Sequence, residues 1–231
     1  MLSGETAFIT SEDHLRVGAF FSKVYAWMSA ALAISAGVAW YMARSGKLLE
    51  ILQTTPNVIG MALLAEVVVV IALSFLLNRI SAVMAGLMFA LYAALTGFTL
   101  SVIFLVYTSS SIATTFLLTG ASYAAMGIYG YTTRKNLGAW GGFLFMSLVG
   151  MIIASLINLF LRSPAIEWIT AYAGIVVFAG LTAYDHQKLK ALCLMSPTGG
   201  AGNLAIYGAL SLYLDFVNLF LSLLRAFGRR R

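Results

Sequence analysis

The sequence is poor in the residues that soluble and secreted folds depend on. It has one cysteine, Cys193, so an intrachain disulfide is excluded, and it has only three prolines. Charged residues make up 10% of the chain, whereas a soluble domain carries about a quarter. The scarcity of charge therefore excludes an ordinary soluble domain.

Motifs for catalysis and tight metal binding are missing as well. The chain contains no GxGxxG, P-loop, HExxH or GxSxG sequence, and no GxGD sequence of the intramembrane aspartyl proteases. Cys193, His14 and His186 show no CxxC or HxxxH spacing. The sequence therefore predicts a protein that is not an enzyme and has no tightly bound cofactor.

What the chain has in abundance is apolar sequence. Hydrophobic residues make up 61% of it, and its mean hydropathy is +0.93. A bilayer core of about 30 Å requires about 20 apolar residues per helix. Seven segments meet that length, at 19–43, 58–77, 80–106, 112–132, 139–161, 166–185 and 203–225. They predict an all-α integral membrane protein, a bundle of seven transmembrane helices.

The remaining sequence predicts short connections and no second domain. We expect a polar N-terminal segment at 1–18, a single seven-helix domain at 19–228 and a basic tail at 229–231. The first apolar run is longer than a signal peptide core and predicts a retained helix. Asn78 and Arg79 predict a tight turn, and 197–200 a loop before the last helix.

The basic residues lie at the ends of the apolar runs, so the net charge of +6 does not indicate nucleic-acid binding. They divide equally between the two faces of a seven-span topology, and the orientation stays open. An even number of full spans, with one segment re-entrant, is the alternative.

Five of the eight acidic residues lie in termini or near the starts and ends of the predicted helices, and the other three are Glu66, Asp185 and Asp215. Glu66 lies in the second segment, Asp185 ends the sixth, and Asp215 is in the middle of the seventh. A carboxylate at the bilayer centre costs about 2.5–3.5 kcal/mol on insertion scales. Asp215 should therefore face the bundle interior and be protonated, paired or bound to a cation.

Polar residues recur on one side of the seventh segment. Ser211, Asp215, Asn218, Ser222 and Arg225 follow steps of three and four residues, which place them on one helix face. A weaker stripe on the fifth segment comprises Ser147, Met151, Ser155, Asn158 and Arg162. Such faces are usually buried or line a wet cavity.

No lysine or arginine is predicted in the middle of a helix, so no embedded base is available for Asp215. If the sixth and seventh helices pack together, Asp185 is its natural partner, because two carboxyl groups in contact can share a proton and respond to pH. Three simpler interpretations stay open. In the first, Asp185 is only a solvated residue at a helix end. In the second, Asp215 only forms a hydrogen bond to a neighbouring helix. In the third, Glu66 is a protonated residue with a structural role.

The segments around both aspartates resemble the Bax inhibitor 1 family, also called the transmembrane BAX inhibitor motif family. The resemblance rests on LTAYDHQK at 181–188, LYLDFVNLF at 212–220 and LLRAFG at 223–228. It extends to Glu66 and to YGYTTRK at 129–135, and covers nearly the whole chain. The bacterial inner-membrane members are the most similar, which implies a multi-pass protein of the bacterial inner membrane.

This resemblance implies a central seventh helix surrounded by the other six. It also implies that Asp185 and Asp215 form a hydrogen-bonded pair that senses pH for a calcium leak. In the family an arginine near the end of the second helix latches onto the pair; here the nearest arginine is Arg79, slightly later in the chain. His186 replaces a residue that is often threonine and adds a second titrating group beside the pair.

Two function hypotheses follow. The first is a pH-sensitive leak for a cation, principally calcium, which Asp185 and Asp215 would ligate transiently, with Glu66 also in the ion pathway. The second is a regulator that binds and modulates a membrane-anchored AAA protease, since some bacterial members are described in that role. In the second hypothesis the acidic residues only stabilise the bundle.

Overall fold

The computed structural model of the protein describes residues 11–77, 79–196 and 202–231. Three sequence predictions reach outside these ranges. They are the first ten residues of the polar N-terminal segment, Asn78 of the tight turn, and the loop at 197–200.

The described residues form an all-α protein. Its helices are α1 (Ser11–Arg44), α2 (Lys47–Thr54), α3 (Val58–Leu76), α4 (Ala82–Leu100), α5 (Ile103–Val106), α6 (Ser109–Thr132), α7 (Gly138–Leu161), α8 (Pro164–Met195) and α9 (Gly202–Phe227). Seven helical segments are long and apolar enough to cross a membrane, the third being α4 and α5 together. The predicted all-α membrane fold is confirmed.

The helix ends differ from the prediction in two places. Residues 11–18, predicted as part of a polar segment, already belong to α1. The sixth apolar segment was predicted to end at Asp185, but α8 continues to Met195. Its polar residues beyond Asp185 look like a helix end by hydropathy alone. They continue the helix because they find partners on neighbouring helices, and long side chains can lay their stems along apolar surface.

The last helix, α9, is the centre of the bundle. It packs against α1, α4, α6 and α8, and 67% of its membrane-crossing window is buried, against at most 33% for any other span. This arrangement confirms the predicted central helix. Close packing is helped by small residues, as is common between membrane helices. At Gly208, for example, a Cβ atom would lie 3.0 Å from the side chain of Leu189.

The helices α3 and α7 lie at the periphery. α3 packs chiefly against α4, and α7 chiefly against α8. Their surfaces are almost wholly apolar and exposed, as expected for helices that face lipid hydrocarbon.

The C-terminal tail, residues 229–231, is held against the linker between α5 and α6. The Arg231 amide donates to the Val106 carbonyl at 2.9 Å, and the Thr108 amide donates to the Arg229 carbonyl at 3.1 Å. The Arg230 side chain pairs with Glu167 of α8. The side-chain hydrogen bonds of Arg230 to Tyr107 and Glu167 raise its pKa. The predicted basic tail is therefore docked on the end of the bundle.

Candidate functional site

The two aspartates lie at a similar depth on adjacent helices. An α-helix rises about 1.5 Å per residue. Asp185 therefore lies about 15 Å before the end of α8 at Met195, and Asp215 lies about 20 Å after the start of α9 at Gly202. Because α8 and α9 are consecutive and pack along each other, their carboxyl groups come within electrostatic range of one another. The structure thus places the two residues near one another, but the hydrogen bond between them that the resemblance implies is not present among the described residues.

Asp215 is the more enclosed of the two. Its side chain is 6% exposed, and its Oδ2 atom has no hydrogen-bond partner among the described residues. Buried polar atoms without a partner are rare in native structures. The surroundings are mainly apolar and aromatic, with Phe216 and Tyr123 nearby. This carboxyl group is therefore poorly compensated by the protein itself.

Asp185 lies inside α8 and is only half-buried. The side chain of Ser211, on α9, lies near its carboxyl group. The interpretation of Asp185 as a solvated residue at a helix end is wrong, because α8 extends well beyond it.

A base that the sequence prediction excluded lies beside the pair. Lys188 is one turn beyond Asp185 in α8, and its charge acts on both Asp185 and Asp215. Its Nζ donates to the Tyr207 hydroxyl at 3.0 Å and lies 5.9 Å from the centre of the Tyr184 ring. The expectation of no embedded base was wrong because it followed from ending the helix at Asp185.

His186 points away from the carboxyl pair into an aromatic box. Its Nδ1 is 2.6 Å from the Thr182 carbonyl and its Nε2 is 2.9 Å from the Tyr25 hydroxyl. Since a carbonyl only accepts, Nδ1 carries the proton in the neutral ring and the Tyr25 hydroxyl donates to Nε2. Phe21 stacks on the ring at 5.8 Å. A Cβ atom at Gly127 would lie 2.9 Å from Nε2, so glycine makes room for the ring.

Tyr123 of α6 lies between the aromatic residues around His186 and the two aspartates. It was not identified from the sequence. Its ring packs edge-on against His186 at 5.7 Å and Phe216 at 5.4 Å. Its hydroxyl donates to the Met28 sulfur at 3.5 Å, and the charges of both aspartates act on it. A tyrosine in an apolar segment gave no distinctive signal.

Glu66 lies in a separate site between α3 and α4. The Thr99 hydroxyl donates to Oε1 at 2.7 Å, and the Thr96 hydroxyl donates to Oε2 at 3.2 Å. Both carboxyl oxygens are therefore hydrogen-bonded. The nearby Tyr213 of α9 bonds to the Ser35 hydroxyl at 2.7 Å, so polar contacts tie α1, α3, α4 and α9 together. Neither aspartate is among the interaction partners of Glu66 in the described structure.

The polar stripe of α9 is satisfied largely by its own helix. Asn218 donates to the Leu214 carbonyl at 2.8 Å, Ser222 to the Asn218 carbonyl at 2.7 Å, and Arg225 to the Leu221 carbonyl at 3.2 Å. Ser222 packs against Gly174 of α8, so the stripe faces α8. Arg225 is exposed near the end of the helix.

The polar stripe of the fifth apolar segment, now α7, was expected to be buried or to line a wet cavity, but its residues are only half-buried or exposed. Ser155 is exposed on the outer surface of the bundle, and Ser147 donates to the Phe143 carbonyl of its own helix at 2.9 Å. A helix that packs on only one side can present small polar residues outward once their hydroxyls bond to the preceding turn.

Arg79 is exposed in the turn between α3 and α4. The Asn203 side chain donates to the carbonyls of Leu77 and Ile80 at 2.7 and 2.9 Å, which places this turn beside the start of α9. Asp215 is twelve residues further along α9, about 18 Å away. The structure therefore does not bring Arg79 to the aspartates, and the implied latch is not formed in this conformation.

On the other side of Asp215 is a small cavity of about 100 Å³ enclosed by α1, α4, α5, α6 and α9. Its lining is apolar except for Ser35, and Phe216 and Phe220 of α9 form one wall. Beyond it, Tyr107 packs on Phe220 and Leu224 beneath the docked tail. This end of the bundle is therefore packed with apolar and aromatic side chains.

The carboxyl pair is not a conventional metal site. In the described ranges no group of three or more histidine, cysteine, aspartate or glutamate side chains is arranged to hold a metal ion. Calcium requires six to eight oxygen ligands. Any cation at Asp185 and Asp215 would therefore be held weakly and would keep part of its water shell.

Seven helical segments able to cross a membrane, with an acidic pair on α8 and the central α9, define a multi-pass membrane protein. Residues 17–231 match the family described as "Inhibitor of apoptosis-promoting Bax1". The chain belongs to this family, in agreement with the resemblance of its aspartate segments.

Similarity to curated relatives extends over the whole bundle. The chain is 47% identical over 215 residues to the inner membrane protein YbhL of Escherichia coli K12, covering 92% of each chain. It is 42% identical to an uncharacterized protein of Borreliella burgdorferi, also with 92% coverage of each. An uncharacterized membrane protein of Streptococcus pyogenes is 34% identical over 224 residues, covering 96% of this chain and 97% of its own. The protein is thus a multi-pass protein of the inner membrane.

Proposed function

We propose that this protein is a pH-sensitive leak for a cation, principally calcium, and that the Asp185–Asp215 pair controls it. The observation that carries the proposal is the buried Oδ2 of Asp215, which has no hydrogen-bond partner in the described structure and lies close to a second carboxyl group.

The charges around the pair make its protonation state decisive. With both carboxyl groups ionised and Lys188 charged, the three residues carry a net charge of −1. Each proton added raises that charge by one, to zero and then to +1. Enclosed sites oppose a net charge strongly, so the ionised pair requires a compensating cation while the protonated pair repels one. We therefore expect calcium to bind the pair more weakly as pH falls.

Weak binding suits permeation. A conducting site must bind an ion well enough to admit it and loosely enough to release it. The two carboxyl groups and the Ser211 hydroxyl offer fewer oxygens than calcium prefers. Water would have to supply the remaining ligands, which keeps the residence time short.

In this proposal the conformation described here is the non-conducting one. Phe216 and Phe220 narrow the space beyond Asp215, and Tyr107 lies beneath the C-terminal tail. Conduction requires movement of α9 or its neighbours, and a change of charge at the α8–α9 interface is a direct way to cause that movement.

Calcium flux into liposomes is the test. The purified protein is reconstituted into vesicles that contain a calcium-sensitive dye, and flux is recorded at several external pH values. We expect the wild-type flux to depend on pH and that of Asp215→Asn to lose this dependence. Glu50→Gln is the matched control, because Glu50 is exposed in α2, far from the pair along the chain. A pH profile unchanged in Asp215→Asn means that the pair is not the sensor.

The second candidate function, regulation of a membrane-anchored AAA protease, has one structural feature in its favour. Along α7, large apolar side chains such as Phe143, Met146 and Phe160 are exposed on a helix that packs chiefly against α8. A partner helix could occupy that face. A stable complex with a membrane protease after copurification, together with no calcium flux in liposomes, would favour this function over the leak.

A further inference from the structure

A concave surface opens between α6, α7 and α8, lined by residues of all three helices. It has a volume of about 490 Å³, within the range of about 300–1,000 Å³ typical of ligand sites. The small residues Ala179, Gly180 and Ala183 of α8 form its floor, and Phe143 and Leu144 of α7 form one wall. We refer to it as the α6–α8 groove.

One end of the groove is apolar and the other is bordered by polar and aromatic residues. Towards the middle of α8 it is apolar and reaches Val176, which is 71% exposed. Towards the α6–α7 loop it is bordered by Tyr129, Trp140, Asn136 and Lys135. Tyrosine and tryptophan favour the membrane interface, where an apolar body meets polar headgroups. The groove therefore extends from the interface into the hydrocarbon.

The polar end of the groove is held in place by α8. The Gln187 side chain accepts from the Leu137 amide at 2.8 Å and donates to the Lys135 carbonyl at 2.8 Å. These two bonds tie the backbone of the α6–α7 loop to α8. Lys135 is thus attached to an ordered backbone, while its charged side chain is exposed.

The charged side chains at the polar end of the groove are all basic. Lys135 borders the groove and Arg134, also exposed, precedes it. Lys190 is nearby, with its Nζ donating to the Tyr131 carbonyl at 3.1 Å. No acidic residue is among the described residues that line the groove. An apolar channel that ends in uncompensated basic side chains matches a lipid with an acyl chain and an anionic headgroup.

We propose that the α6–α8 groove binds an anionic phospholipid, with one acyl chain along Ala179, Gly180 and Ala183 and the headgroup phosphate at Lys135 and Arg134. This site lies on the outer surface of the bundle, and the proposal does not depend on the leak. A zwitterionic lipid offers the same acyl chains but no net negative charge, so headgroup charge is the basis of selection.

Trp140 provides a local probe, because it lines the groove. Lipids with brominated acyl chains quench a tryptophan that they contact. The protein is reconstituted into vesicles of phosphatidylcholine that contain an equal small fraction of brominated phosphatidylglycerol or of brominated phosphatidylcholine. The difference between the wild type and Trp140→Phe isolates the signal of Trp140 from the other three tryptophans.

We expect Trp140 to be quenched more by the anionic lipid than by the zwitterionic one. Lys135→Gln should reduce the preference for the anionic lipid about fivefold, since each basic residue near a membrane surface contributes a modest attraction. Lys23→Gln is the matched control. It makes the same change at an exposed lysine of α1 that does not line the groove, and it should keep the preference.

A second variant tests the apolar part. Ala179→Phe fills the floor and should reduce Trp140 quenching by both brominated lipids, while Lys135→Gln changes only the preference between them. Equal quenching of wild-type Trp140 by the two lipids overturns the proposal. So does an anionic preference that survives the double substitution of Arg134 and Lys135 by glutamine. Absence of quenching by either lipid, with crosslinking of a protein at position 140, would assign the groove to a protein partner instead.

Discussion

The carboxyl groups of two acidic sites in this membrane protein differ in how their oxygens are hydrogen-bonded. At Glu66 both carboxyl oxygens accept hydrogen bonds from threonine hydroxyls of α4. At Asp215 one oxygen is buried without a partner in the described structure, and a second carboxyl group lies close by. Glu66 and Asp215 are both acidic residues within apolar segments of the sequence, yet their surroundings in the structure differ.

The difference lies in what the neighbouring helix supplies. α4 presents Thr96 and Thr99 to Glu66, which satisfies the carboxyl group and ties α3 to the bundle. α8 presents another acid and a base to Asp215. A satisfied polar group stabilises a packed interface, whereas an unsatisfied pair of titratable groups has a protonation state that can change. These surroundings support our proposal that the pair senses pH, and we propose a structural role for Glu66.

The largest effect should come from removing a charge of the pair. Asp215→Asn and Asp185→Asn should each lower calcium flux by about tenfold or more, equivalent to about 1.4 kcal/mol in the barrier, and should flatten its pH dependence. The reason is that an amide neither titrates nor compensates a cation. Flux assays in liposomes measure both quantities, and retention of the wild-type profile in both variants would remove the basis of the comparison.

The next effect concerns the base. Lys188→Met keeps an unbranched side chain of similar length but removes the positive charge beside the carboxyl groups. Because that charge favours their ionised form, the midpoint of the pH-dependent flux should move to higher pH. Lys23→Met is the control, with the same change at an exposed site in α1. A midpoint that does not move would show that Lys188 is screened from the pair.

Changes at Glu66 should affect stability and leave sensing intact. In Glu66→Gln one threonine hydroxyl loses its acceptor, which should lower the free energy of unfolding by about 0.5–1.5 kcal/mol. Thr99→Val removes the shorter of the two hydrogen bonds and should act similarly. Thermal unfolding of the purified protein measures this loss. If Glu66→Gln also abolishes the pH dependence of flux, the distinction between the two sites is wrong.

The smallest effect is expected at Arg79. Its position in an exposed turn, about 18 Å along α9 from Asp215, leaves it without direct contact with the pair in the conformation described here. Arg79→Gln should therefore change flux by less than about twofold at any pH. A large change in flux would instead indicate that α3 moves to bring Arg79 to the pair in another conformation.

Much of the fold could be predicted from the sequence, because helix length in a membrane follows from bilayer thickness and apolar composition. The seven spans and the inward position of Asp215 followed from hydropathy and spacing alone. The end of α8 could not be located in this way. Hydropathy treats Asp185 and Lys188 as solvated, whereas their partners come from α9, more than eighteen residues further along the chain.

The sequence by itself determined that this is a membrane-embedded helical bundle with a few acids that require compensation, because the free energy of placing charge in hydrocarbon depends on residue type and depth. Tertiary structure alone decided how each acid is compensated. Glu66 meets two hydroxyl groups, while Asp215 meets Asp185 and Lys188 with one oxygen left unbonded in the described residues. Hydrogen bonds and Coulomb interactions act over a few ångströms, and those distances exist only once the helices have packed.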